Sequence, residues 1–153
     1  MSKIASSKTP REDGIEDDLR GMFDGARILV APLDWGLGHS ARCVPVIRAL
    51  LGNGAVPVIG ADKGPLALLR GEFPELEHVR IPGIEVRYAK GRSQAWAMAK
   101  QFPAMLRSVR QEQQQFDRLR KDLRLDAVIS DQRFGVRTSA LPCVLITHKV
   151  FQF

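Results

Sequence analysis

Two kinds of apolar pattern alternate along this chain, and their alternation predicts its architecture. Strand-like segments stand at Ile28-Leu-Val30, Ala55 to Ala61, Leu76 to Ile81, Leu125 to Ser130 and Pro142 to Thr147. The first is an uninterrupted apolar run bounded by turn residues, the pattern of a strand buried on both faces of a parallel sheet. Between them, apolar residues recur at helical spacing: Val44, Val46, Ile47, Leu50 and Leu51, then Leu66, Leu68 and Leu69. A third series, Met98, Phe102, Met105, Leu106, Val109, Phe116, Leu119 and Leu123, predicts a long amphipathic helical region from Gln94 to Leu123. Strand, helix, strand, helix is the rhythm of a doubly wound α/β sheet.

The breakers agree with these boundaries. Gly52-Asn-Gly54 stops the first helix, and Pro57 falls near the start of the second strand, where a missing N–H does least harm. Pro65 suits the first turn of a helix opening at Lys63. Pro82-Gly83 ends the third strand, and Ile84 to Tyr88 either extends it or leaves it. Pro103 should kink the long helix or begin its second half. Arg107, Arg110, Glu112, Gln113 and Arg118 are expected on its polar face, with the run Gln111 to Gln115 outward.

At 153 residues the chain fits one domain with a real core and contains no apolar run long enough to span a bilayer. Residues 1–26 are charged, lack the apolar core of a secretory signal and read as a mobile extension, with a short helix near Ile15 to Met22. Acids outnumber bases there, so the net charge of +6 comes wholly from the remainder. Such a charge fits nucleic acid, anionic lipid, a phosphorylated substrate or solubility alone. Cys43 and Cys143, the only cysteines, have no metal-ligand spacing and read as buried thiols in a reducing compartment.

Candidate chemistry gathers after the first strand. Gly36 and Gly38 let the backbone turn sharply and admit a ligand, and His39-Ser40 opens a helix whose first N–H groups have no partners within it. Such a loop suits a phosphate or a developing oxyanion. Ligands of doubly wound sheets gather beyond the carboxyl ends of strands, where strand order reverses. There Asp131 and Arg133, after the fourth strand, and His148, after the fifth, would share a rim with His39. Gly36-Leu-Gly38-His-Ser-Ala41 also fits G-x-G-x-x-A, and Asp62 stands where a ribose-binding acid is expected. Pro32-Leu-Asp-Trp35 separates that loop from its strand.

Ile28-Leu-Val-Ala-Pro-Leu-Asp-Trp-Gly-Leu-Gly-His-Ser-Ala-Arg42, followed by Cys43-Val-Pro-Val-Ile-Arg-Ala-Leu50, resembles the opening of GT-B glycosyltransferases. It is similar to the enzyme that adds N-acetylglucosamine to the lipid-linked peptidoglycan precursor, and to related predicted UDP-sugar transferases, although Leu37-Gly38 replaces that enzyme's paired glycines before the histidine. Glu72-Phe-Pro-Glu-Leu-Glu77, Ile81-Pro-Gly-Ile84, Val128-Ile-Ser-Asp-Gln-Arg-Phe-Gly135 and Leu145-Ile-Thr-His148 extend the resemblance from Arg27 to His148. It implies that residues 27–153 form the N-terminal, acceptor-side Rossmann-like domain, a mainly parallel sheet of about five strands, with the C-terminal donor domain absent from the chain. The complete enzyme would transfer a hexosyl group, plausibly N-acetylglucosamine from a UDP-sugar, by inverting displacement. These residues alone would be inactive, because transfer needs donor and acceptor held together.

The resemblance implies His39 as base or acceptor-positioning group, with Asp34, Trp35, Gly36, Gly38, Arg42, Asp131, Arg133 and His148 toward substrate. It requires neither metal nor cofactor, and implies a cytoplasmic location with a sugar acceptor as partner and no nucleic acid. Structural roles compete: His39 and Asp34 as local caps, Asp131 and Arg133 as a mutual pair, Trp35 as a brace. Arg87, Lys90, Arg92, Lys100, Arg107 and Arg110, with Trp96, Met98 and Phe102, either approach a lipid-linked acceptor or an anionic membrane face, or form an ordinary solvated helix face. Two other readings stay open: an NAD(P)- or flavin-binding module using Gly36, Gly38, Ala41 and Asp62, and a non-catalytic domain for an anionic partner.

Overall fold

The computed structural model describes residues 21–83 and 94–147, without the side chains of 94–102, 104, 105 and 108. Its elements are β1 (Arg27–Pro32), α1 (Leu37–Gly52), β2 (Val56–Ala61), α2 (Lys63–Glu72), β3 (Glu77–Arg80), α3 (Gln94–Asp122), β4 (Ala127–Asp131) and β5 (Cys143–Ile146). The five strands are all parallel in the order β3-β2-β1-β4-β5, a Rossmann-like sheet whose order reverses between β1 and β4.

The alternation of side chains along β1 divides the core. Ile28 and Val30 point to one face, where Cys43, Ile47 and Leu50 of α1 and Leu66 and Leu69 of α2 cover them. Leu29 and Ala31 point to the other, where they meet Val58, Val128 and Phe116 of α3. Every side chain from Ile28 to Pro32 is therefore buried, which explains the unbroken apolar run.

Residues 21–26 belong to the folded unit. Phe23 and Ala26 pack against the α1–α2 core, and the Gly25 N–H donates to the Gly54 carbonyl at 2.9 Å. The rest of the extension, including most of the expected helix at 15–22, lies outside the described residues.

The long helix expected from Gln94 to Leu123 is one element, Gln94–Asp122, with Pro103 inside it. Two expectations need correction. Glu112, expected outward, is buried, because it falls on the stripe that carries Val109, Phe116 and Leu119 at helical spacing. Cys143 is exposed, unlike Cys43, because β5 forms the sheet edge and Val144 and Leu145 are also open there.

Pro45 sits inside α1 and removes a donor to the Ala41 carbonyl. Both residues lie on the exposed side of the helix, where water can satisfy that oxygen. Among the described residues, no helix is long and apolar enough to cross a membrane.

Candidate functional site

The reversal of strand order places the loop after β1 beside the end of β4. The Leu33 N–H donates to the Asp131 carbonyl at 3.0 Å, continuing the β1–β4 ladder past the last paired residues, Pro32 and Asp131. Gln132 then takes a left-handed backbone conformation (φ 58°), unusual for a residue with a side chain, and its N–H donates to the Ile146 carbonyl. Asp131 is thus held by backbone on both sides at the carboxyl rim.

Its carboxylate, wholly buried, gathers two side chains from the first turns of α1. His39 Nδ1 lies 3.1 Å from Asp131 Oδ2. Arg42 Nη2 donates to Asp131 Oδ1 at 2.9 Å and Arg42 Nε to Oδ2 at 3.1 Å. One helical turn separates His39 from Arg42, so both project from the same side of α1. A buried carboxylate needs such a counter-charge, since the desolvation of an ion is otherwise uncompensated. The imidazole is mostly covered, with 14% of its side-chain surface open to solvent, against 38% for Arg42.

The loop leading into α1 is open. Trp35, Gly36, Leu37 and Gly38 are exposed, with no side-chain cap at the helix start and no acid in its first turn. Gly36 adopts φ 91°, where a side chain would be strained, whereas Gly38 lies within the helix with open space around it. Gly36→Ala should therefore lower stability by about 1–2 kcal/mol. Gly38→Ala should be neutral or raise it by up to about 1 kcal/mol. Urea midpoints of the two variants check the contrast.

Asp34 engages the loops after β2 and β3. Its Oδ1 accepts the Asp62 N–H at 3.3 Å, and its carboxylate rests over Gly83, where a Cβ would collide with it. Burial pushes the Asp34 carboxyl above its ordinary value, with Arg133 opposing. Asp62, at the end of β2, is bound by Arg80, whose Nε donates to Oδ1 at 2.6 Å. That hydrogen bond holds the Asp62 carboxyl below its ordinary 3.8, against the effect of burial. A carboxylate held below its unfolded value adds stability that is complete above that value and fades as pH falls through the folded one. Asp62→Asn should accordingly lower the urea midpoint at neutral pH and have no such effect well below 3.8.

Arg133 lies inside the protein. It pairs with Glu112 of α3 at 2.7 Å and donates to the carbonyls of Ile81 and Pro82 at 3.1 and 2.8 Å. The second Glu112 oxygen accepts the Gly135 N–H. Arg133 thus joins α3 to the loops after β3 and β4, and pairs with Glu112 instead of Asp131. Cys43 lies one turn along α1 from Ser40; burial, and then the Asp131 charge, push its thiol up to about 12, so it is inert at neutral pH. His148 lies outside the described residues.

The structure therefore brings His39, Arg42 and Asp131 together beneath the open loop of Trp35 to Gly38. Asp34 and Arg133 lie alongside, each engaged by other parts of the protein. The sequence reading missed Glu112 and Arg80 as the partners of Arg133 and Asp62; the helical phase linking Glu112 to Phe116 was the available signal for the first.

The fold, though no feature of the rim, is similar to that of a glycosyltransferase of known structure. Glycyrrhiza uralensis UGT73P12, a plant UDP-glycosyltransferase of the GT-B fold solved with glycyrrhetinic acid 3-O-monoglucuronide, superposes with a TM-score of 0.50 at 15% identity. The match covers 79% of this chain and 28% of that one. This likeness is one of fold, and it does not single out the peptidoglycan N-acetylglucosaminyltransferase. No family profile matches the sequence, and no curated protein does. Among the described residues, no group of histidine, cysteine and carboxylate side chains is placed to hold a metal.

Proposed function

We propose that this chain is the acceptor-side half of a glycosyltransferase, with His39 as the general base that takes the proton of the acceptor hydroxyl. The observation that carries this reading is the 3.1 Å approach of His39 Nδ1 to the buried Asp131 carboxylate at the rim where strand order reverses. With a proton on Nδ1 donated to Asp131, the lone pair of the imidazole is on Nε2. That nitrogen accepts the hydroxyl proton as the acceptor oxygen attacks the anomeric carbon and the nucleotide diphosphate departs. Asp131 then stabilises the imidazolium and fixes the ring. The likeness to a UDP-glycosyltransferase supports the same reading at the level of fold.

In this reading the donor is a UDP-hexose such as UDP-N-acetylglucosamine, held by a second domain. The displacement is inverting and no metal takes part. Trp35 and the backbone of Gly36 to Gly38 meet the acceptor, while Asp34 and Arg133 shape the loops around it.

The acceptor in this reading is lipid-linked. Eighteen residues of α3 precede Glu112, which is level with the rim, so this part of the helix reaches about 27 Å past it at the usual rise per residue. No acid stands between Glu85 and Glu112, and Leu106, Arg107 and Arg110 are exposed there. Arg87, Lys90 and Arg92 lie outside the described residues, as do the side chains of Trp96, Met98, Lys100 and Phe102.

The test pairs the 153-residue chain with a donor-binding domain, supplied by any coding sequence that continues it or added as a separate GT-B donor half, and measures UDP release from UDP-hexoses with hydroxyl acceptors. Acceptor-dependent release that His39→Ala abolishes supports the reading. Saturable NAD(H) binding lost in Asp62→Ala, with no release, would replace it by the dinucleotide reading.

A further inference from the structure

His39 Nδ1 has two neighbours that make incompatible demands. Asp131 Oδ2 at 3.1 Å can only accept a proton, whereas Arg42 Nη2 at 2.9 Å can only donate one. An imidazole nitrogen has a single in-plane site, occupied by either a hydrogen or a lone pair. If Nδ1 carries hydrogen, it donates to Asp131 and faces the Arg42 N–H at close range. If it carries a lone pair, it accepts from Arg42 and faces the carboxylate oxygen. The two states are the two neutral tautomers of the ring, and they differ in what Nε2 can do. With hydrogen on Nδ1, Nε2 has the lone pair a base needs; with Nδ1 bare, Nε2 carries hydrogen and takes up no proton.

We infer that Arg42 is a positioning residue that sets the tautomer of His39, holding the base idle until an anionic substrate group draws the guanidinium away. This rests on the reading of His39 as the base. Two features support it. The Arg42 side chain, alone of the three, is substantially open to solvent, so an incoming anion can reach it without displacing the core. Its Nη2 carries two hydrogens, enough to bind Asp131 and Nδ1 together, so both are placed on acceptors when Nδ1 is bare. Once a phosphate oxygen competes for the guanidinium, Asp131 loses its closest counter-charge and Nδ1–H becomes the donor it can take instead. The ligand class is thus one bearing phosphate or diphosphate, and the base becomes competent when that group arrives.

Long-range 1H–15N correlation spectra of the histidine-labelled 153-residue chain test this, because the two ring nitrogens shift apart in opposite senses in the two tautomers. In the wild-type chain the hydrogen is expected on Nε2, and in Arg42→Met on Nδ1. Loss of a charge-assisted hydrogen bond should move the tautomer ratio by about ten- to a hundredfold. Inorganic pyrophosphate should move the wild-type ratio toward that of Arg42→Met and leave the variant unchanged. One tautomer in both proteins, or hydrogen already on Nδ1 in the wild type, overturns the control by Arg42. A wild-type spectrum indifferent to saturating pyrophosphate overturns the release. The pyrophosphate arm needs no substitution, so it stands even if Arg42→Met fails to fold. If the tautomer switches while His39→Ala leaves sugar transfer intact, the reading of His39 as the base fails and the control of the ring by Arg42 stands; if transfer is lost with no switch, the reverse holds.

Discussion

Replacing Arg133 by methionine should lower the stability of this domain by about 3–5 kcal/mol, a large share of the 5–15 kcal/mol typical of a domain. Both side chains of the Arg133–Glu112 pair are almost wholly buried. Removing the guanidinium leaves the Glu112 carboxylate inside the protein with the Gly135 N–H as its remaining partner, and takes the donor from the Ile81 and Pro82 carbonyls. An unpaired buried charge is the costly outcome. The double replacement Arg133→Met with Glu112→Leu should therefore be more stable than Arg133→Met alone, although the two carbonyls still lack their donor. Urea unfolding of the four proteins of this cycle measures the coupling. A loss below about 1 kcal/mol for Arg133→Met, the level of an exposed pair, would mean that the contact does not hold α3 to the rim.

This ion pair also marks where the sequence stopped being readable. The strands and helices were legible because burial on both faces writes unbroken apolar runs, and burial on one face writes a helical period. From those elements and the rule that ligands gather where strand order reverses, His39 and Asp131 could be expected on one rim, and there Nδ1 and Oδ2 lie 3.1 Å apart. Arg42 was legible in position, one turn beyond His39, though its contact with Nδ1 depends on rotamers that no spacing specifies. Glu112 was misread because its neighbours are glutamines, and local polarity outweighed the stripe running through Phe116. Arg133 was expected toward substrate or paired with Asp131. Its real partner lies in a helix distant in sequence, and such a pairing leaves no local trace. The exposure of β5 was unreadable for a related reason: two-faced apolar composition says that a strand can be covered on both sides and does not say by which segment.

Under the proposed reading of a transferase with His39 as base, His39→Ala should lower kcat of the complete enzyme by about 10²–10⁴-fold, the usual contribution of a positioned general base. The acceptor KM should move far less, because the proton is transferred only as the new bond forms and ground-state binding does not depend on it. Asp131→Asn should act in the same direction through a different cause. It removes the negative charge that stabilises the imidazolium and turns one accepting oxygen into an N–H donor, so the Arg42 guanidinium also loses its bidentate partner. If Asp131 works through His39, the double variant should be no slower than His39→Ala alone, since two residues acting as a unit cannot be lost twice. Losses that multiply would instead show Asp131 acting independently, as a buried anchor of the β4 tip whose removal distorts the whole rim. Thermal unfolding of the same four proteins separates the two. A base and its positioning partner change kcat out of proportion to stability, whereas a structural anchor changes both together.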